Sequence, residues 1–173
     1  AIEKLKKAIT ELNKEGRERL ETSFNKVNNN FKYLFKKLFN GGNAELKLVG
    51  SEDPLMSGLE IYASPPGKKM QNLSLLSGGE QALTSISLIF SVFLCNPSPL
   101  CILDEVDAAL DDTNVNLFCE LLNELVEENK INFIIVTHHR LTMAKMNRLL
   151  GVTMQEKGIS KILSVDLEKA VEI

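Results

Sequence analysis

"LLSGGEQALTSISLIF", Leu75 to Phe90, is the stretch on which the reading of this chain turns. Ser77 with Glu80 three residues later is a capping box, a frequent way to begin a helix. The capping box does not account for Gly78 and Gly79, each worse than alanine in a helix by about 1 kcal/mol. Two glycines at a helix start leave backbone N–H groups uncovered at its positive end. Such groups suit an anion, and phosphate is the anion they fit best.

Downstream of this start the texture is regular. A helix, about Gly78 to Cys95 and uncharged from Gln81 onward, leads to the apolar strand "PLCILDE". A second helix, about Asp112 to Asn129, carries Val115, Phe118, Leu122 and Leu125 on one face and leads to the strand "INFIIVTHH". A short helix to about Arg148 precedes "LLGVTM" and "ISKILSVDL". Continuous apolar strands separated by helices predict an α/β fold with a mostly parallel sheet covered on both faces.

Upstream, residues 1–40 read as one helix without proline. Its apolar positions fall at Ile2, Leu5, Ile9 and Leu12, then at Leu20, Phe24, Val27, Phe31, Leu34 and Leu38, with a slip of phase around Gly16. The part after Leu20 is expected to pack on its own domain, and the part before it suits the end of a longer coiled coil. "NGGNAELKLVG" stops the helix at Gly41-Gly42, and Ala44, Leu46 and Leu48 begin an alternating strand that "GLEIYAS" answers as an antiparallel partner. "PPGKKMQNLS" follows as an extended linker, because its two prolines exclude a helix.

The bulk numbers bound the function. In 173 residues, 44% hydrophobic and 25% charged, there is room for one domain with a sizeable core. A formal net charge of −3 gives no overall basic field, so any DNA contact must come from a local patch. The three cysteines, Cys95, Cys101 and Cys119, show no CxxC spacing and read as reduced thiols of a cytoplasmic protein. "NPSP" at Asn96 to Pro99 divides the longest uncharged stretch, so neither piece reaches the roughly 20 apolar residues that cross a bilayer. With Ala1 first and no initiator methionine, the chain reads as a fragment or a processed form.

Two further places carry chemistry. "LCILDE" ends a strand in consecutive carboxylates, which puts Asp104 and Glu105 at the carboxyl edge of a parallel sheet, where ligands of such folds bind. Neighbours on a strand point in opposite directions, so the two acids have separate tasks. In phosphoryl transfer one such acid holds magnesium and a second group orients or deprotonates water. Nearby Asp107, Asp111 and Asp112 also permit a plain solvated strand end. His138 follows "FIIVT" and emerges at the same edge if the two strands are neighbours.

Taken together, "LSGGEQ", "CILDEVDAALDD" and "IIVTHH" resemble the signature motif, the Walker B motif with its D-loop, and the switch histidine of ABC-type ATPases. "NFKYLFKKLFNGG", "DPLMSGLEIYASPPGKKMQNLSLLSGGEQAL" and "GVTMQEKGISKILSVDL" narrow the resemblance to the C-terminal half of the ATPase head of a bacterial SMC (structural maintenance of chromosomes) protein. The resemblance implies a coiled-coil end in residues 1–40 and the C-terminal lobe of the head in residues 41–173. It implies ATP with Mg2+, the N-terminal lobe of the same head, a second SMC head as homodimer partner, a kleisin subunit and DNA, in the cytoplasm on the nucleoid and not at a membrane. By the same resemblance Ser77, Gly78 and Gly79, with Glu80 completing the motif, meet the γ-phosphate of ATP held on the opposite head. Asp104 holds magnesium, Glu105 activates water, Asp111 couples the two sites, and His138 contacts the γ-phosphate; His139 receives no role.

What is missing sets the expected activity. A phosphate loop needs G-x-x-x-x-G-K-[ST], and the only GK pair, Gly67-Lys68, has Tyr62 in place of the first glycine and Lys69 in place of Ser or Thr. The chain alone is therefore expected to be inactive, an ATPase only within a complete head dimer. Competing readings are a half-head of a coiled-coil DNA double-strand-break repair ATPase, a transporter nucleotide-binding subunit, and a non-enzymatic scaffold. Lys36-Lys37 and Lys68-Lys69 read as solvated basic clusters.

Overall fold

The computed structural model describes residues 2–166. Ala1 and residues 167–173, the last of which belong to the expected C-terminal lobe, lie outside the described residues. Helix α1, Ile2–Leu38, runs unbroken through Gly16, so the phase slip sits inside a continuous helix. After Leu20 its apolar side is split between two cores. Phe31 and Phe35 pack with Ala44, Leu46, Ala63 and Leu76. Leu34 and Leu38 pack with Leu83, Phe90, Phe118 and Leu122 from the next two helices. Before Gly16 the stripe Ile2, Leu5, Ile9 and Leu12 is 56 to 71% exposed.

Strands β1 (Asn43–Val49) and β2 (Gly58–Ser64) pair antiparallel with Leu46 opposite Ile61. The linker that follows is only partly extended. Gln71–Asn72 adds a short third strand, β3, to β2, and Leu73–Leu75 forms a 3-10 turn before α2 (Gly78–Phe93). The connection between β1 and β2 crosses α1 at Gly16, where the Leu55 side chain lies 3.7 Å from the place a Cβ would take. Beside it Arg17 grips Asp53 in a two-pronged pair, Nε to Oδ1 at 2.9 Å and Nη2 to Oδ2 at 2.7 Å.

This clamp has a pH signature. The Arg17 guanidinium, aided by the Leu55 N–H, holds the Asp53 carboxyl down at about 2 instead of the ordinary 3.8. A depressed folded-state value means the contribution is complete above the ordinary value and is lost as pH falls from about 4 to about 2. A carboxyl NMR titration of Asp53 is expected to return toward 3.8 in Arg17→Ala. An unchanged midpoint in that variant would mean the pair does not form in solution.

Strands β4 (Leu100–Asp104) and β5 (Asn132–Val136) form the expected parallel pair, with Asp104 opposite Val136 and α3 (Asp112–Asn129) as the crossover. Leu103, Cys101, Phe133 and Ile135 face α2 and α3, and Phe90 meets Phe133 edge-on with centroids 6.1 Å apart. Cover on both faces is not what the described chain supplies. Leu100, Ile102, Ile134 and Val136 on the other face are 47 to 65% exposed. Helix α4 is only Arg140–Ala144 and stops before the expected end at about Arg148, because Arg148 already begins β6. β6 (Arg148–Glu156) and β7 (Ile159–Asp166) form a separate antiparallel hairpin and do not join the parallel pair.

Candidate functional site

Ser77 sits in extended backbone as the N-cap of α2. Its N–H and its hydroxyl both donate to Glu80 Oε2, at 3.0 and 2.9 Å. Gly78 is exposed, and neither Gly78 nor Gly79 has a positive φ. A Cβ added to Gly78 meets nothing within 4 Å, and one on Gly79 meets only Ala109 O at 3.8 Å, an ordinary contact. No part of the described chain therefore requires glycine at either position. Gly42 is the opposite case: φ is +71° and a Cβ would lie 2.4 Å from Ser64 O.

At the carboxyl end of the parallel pair, Asp104 and Glu105 are both exposed. Glu105 adopts φ +49°, a left-handed conformation uncommon for a side chain other than glycine, and such backbone concentrates at functional sites. Its N–H donates to Val136 O at 2.9 Å, tying it to the strand that leads to His138. The outcome is a pair: His138 Nδ1 stands 3.6 Å from Glu105 Oε1, with both side chains more than half exposed. Asp104, Glu105 and His138 thus come to one sheet edge.

Asp111 is placed differently. Its Oδ1 accepts from Asn114 N–H at 2.8 Å, capping α3. One carboxylate oxygen is engaged in holding that helix. His139 is half-buried, its Nε2 3.7 Å from Asp112 Oδ1. Among the described residues no hydrogen bond or ion pair joins Ser77–Glu80 to Asp104, Glu105 or His138. Gly79 lies beside the loop after Glu105, where its added Cβ would stand 3.8 Å from Ala109 O.

Asp107 departs from the sequence reading. Grouped there with solvated acids, it is 1% exposed. Its Oδ2 accepts from the Thr137 hydroxyl at 2.6 Å and from the Thr142 hydroxyl, and Thr137 Oγ1 accepts from His139 N–H at 2.9 Å. The buried carboxylate therefore ties the loop of Glu105 to the loop of His138. The signal in the sequence was the pair of threonines flanking the histidines, which supply hydroxyl donors to a carboxylate that would otherwise be buried without partners.

The donor set fits a metal that arrives with its ligand. Among the described residues no group of three or more acidic, histidine or cysteine side chains gathers as a resident metal site. Magnesium bound with phosphates needs only one or two protein carboxylates and keeps several waters. Asp104 alone meets that requirement. Burial pushes the thiols of Cys101 and Cys119 up, opposite to the lowering that activates a cysteine nucleophile. A surface groove of about 450 Å³ beside Lys32, Tyr33 and Lys36 shares no lining residue with the site.

Residues 5–161 match the RecF/RecN/SMC N terminal domain family. The chain belongs to this family. It is 62% identical over 173 residues to the chromosome partition protein Smc of Rhodopseudomonas palustris, covering 100% of this chain and 15% of that protein. An uncharacterized Rhodospirillum rubrum protein, from the 3' region of ATPase CF(0) subunits, is 59% identical over 162 residues and 94% of both chains is covered. The chain spans about 15% of the length of the Smc proteins it matches first. Among solved structures, one from work on ATP-driven dimerization and DNA-stimulated activation of SMC ATPases superposes with TM-score 0.78 at 36% identity, covering 90% of this chain and 93% of that one. The Smc head domain of Pyrococcus furiosus, with an extended coiled coil and bound to the C-terminal domain of ScpA, gives TM-score 0.83 at 38% identity over 98% of this chain and 42% of that chain. The SMC head fold with its N-terminal helix is that of this chain. No helix among the described residues is long and apolar enough to cross a membrane.

Proposed function

We propose that this chain is the C-terminal lobe of an SMC ATPase head, which binds and hydrolyses ATP between two heads to drive chromosome partition. The parallel pair β4–β5 carries this reading. Its carboxyl end gathers Asp104, Glu105 and His138, and one of its faces is apolar and uncovered. Parallel sheets are almost always covered on both faces, so a second lobe is the natural cover. The exposed stripe from Ile2 to Leu12 likewise suits a partner helix in a coiled coil.

In this reading the roles divide between two molecules. Asp104 holds magnesium, whose charge offsets that of the phosphates. Glu105 takes a proton from water as the water oxygen bonds to the γ-phosphorus and the bond to the β-phosphate oxygen breaks, releasing ADP. His138, 3.6 Å from Glu105, contacts the γ-phosphate in this reading. Ser77, Gly78 and Gly79 present donors to a phosphate anchored on the facing head, and Asp111, at the N-cap of α3, couples the two sites. In the open lobe these charges are screened by water; closure of the second head excludes it and strengthens each of them. The head of the P. furiosus relative bound to ScpA supports a kleisin partner for this chain, and the Smc relatives favour chromosome partition over double-strand-break repair.

The test is reconstitution. The isolated chain is expected to show no ATP turnover, and addition of an N-terminal lobe carrying a phosphate loop is expected to restore it. Turnover by the clean isolated chain would overturn the half-head reading.

A further inference from the structure

Lys68 reads from sequence as part of a solvated basic cluster, but the structure delivers it to a specific place. Pro65-Pro66-Gly67-Lys68 forms a turn with Pro66 in its second position and Gly67 at φ +78° in its third, the residues a type II turn requires. Lys68 N–H donates to Pro65 O at 3.0 Å, and the Ser64 hydroxyl donates to Lys68 O at 2.7 Å. The ammonium then sits astride the Glu80 carboxylate, 2.8 Å from each oxygen. Glu80 Oε2 is also the acceptor for the Ser77 N–H and hydroxyl.

This arrangement resolves a conflict in the proposed phosphate site. Glu80 caps α2 from 2.9 Å beyond the Ser77 hydroxyl, so its charge stands beside the place a phosphate must come. Like charges a few ångströms apart repel more strongly once water is excluded. The single Ser77 hydroxyl proton is also given to Glu80 in the open chain, whereas a phosphate oxygen needs that proton as a donor. An ammonium on the carboxylate cancels the charge and competes with the hydroxyl for the Oε2 lone pairs, so the hydroxyl is held less firmly. The Lys68 bond is also the main cause holding the Glu80 carboxyl below the usual carboxylate range, followed by the Ser77 N–H.

We propose that Lys68 is a positioning residue of the signature site: by neutralising Glu80 it weakens the hold of that carboxylate on the Ser77 hydroxyl and admits the γ-phosphate from the facing head. The proposal rests on the ATP-sandwich reading above and extends that site to the Pro65–Met70 linker. A partly exposed ion pair contributes little to stability, so removing it is expected to be felt at the site more than in the fold.

The experiment uses the complete SMC protein and compares Lys68→Gln, Lys68→Arg and Lys68→Gln with Glu80→Gln. Half-saturation by ATP is read for head pairing and for turnover. Lys68→Gln is expected to raise the ATP requirement about tenfold, the weight of one charge-assisted contact, with kcat and Tm little changed. Lys68→Arg and the double variant are expected to recover most of it, because each again leaves Glu80 or its replacement without net charge. A Lys68→Gln protein that matches the wild type, or a double variant as impaired as Lys68→Gln, overturns the role of Lys68 and leaves the ATP reading standing. A wild-type protein without ATP-driven pairing overturns both.

Discussion

Gly78→Leu is expected to leave the lobe folded and to abolish ATP-driven pairing of heads. Within the chain the substitution is free: φ is not in the left-handed region and the new Cβ meets open space. Glycine is the poorer helix former, so stability is expected to hold or rise by at most about 1 kcal/mol. The damage falls on a partner outside the chain. A leucine side chain covers the N–H groups that a phosphate must approach, and each hydrogen bond to a charged group is worth about 1.5–3 kcal/mol. Losing one or two of them weakens pairing by about 10- to 10⁴-fold. Gly42→Ala is the control with the reverse outcome. There the chain itself needs glycine, through φ +71° and a Cβ only 2.4 Å from Ser64 O, so Tm is expected to fall by several degrees. If Gly78→Leu pairs normally, or melts as Gly42→Ala does, the glycine serves the fold and not a ligand.

The second large effect is expected from Glu105→Gln in the complete head. Glutamine keeps the shape and the φ +49° backbone position, and the backbone N–H at 105 still reaches Val136 O. It cannot take a proton from water, and general-base catalysis is worth about 10²- to 10⁴-fold in rate. Turnover is expected to fall by that factor while pairing with ATP persists, since a neutral side chain repels the γ-phosphate less than a carboxylate. Single-turnover hydrolysis alongside a pairing assay separates the two steps. Unchanged turnover would remove Glu105 from the chemistry, and loss of pairing with turnover would make it a binding residue.

Much of this fold is legible in the residues. The helix expected from about Asp112 to Asn129 is observed with those ends, because Asp111 caps its first turn and Lys130 closes it in a left-handed conformation. The parallel pair follows from two apolar runs with a helix between them. Its bare face does not follow, because an apolar run reads as buried whether this chain or another one supplies the cover. β3 is two residues long and carries no periodicity. The hairpin β6–β7 shares the apolar character of β4 and β5, and composition alone does not tell antiparallel from parallel pairing there. In the site, the strand-end acids and His138 are visible as residue types in order. Asp107 and Lys68 are not, since an acid among acids and a lysine beside a lysine look solvated until Thr137, Thr142 and Glu80 are seen to meet them.

The central claim is that the Gly78 and Gly79 amides serve a phosphate held by another molecule, and their own NMR signals test it most directly. The chain labelled with ¹⁵N and carrying Glu105→Gln is mixed with an unlabelled N-terminal lobe, with and without ATP and magnesium. Both glycine amides are expected to shift only when lobe, nucleotide and metal are all present. A shift with ATP on the isolated chain, or none in the paired complex, would contradict it.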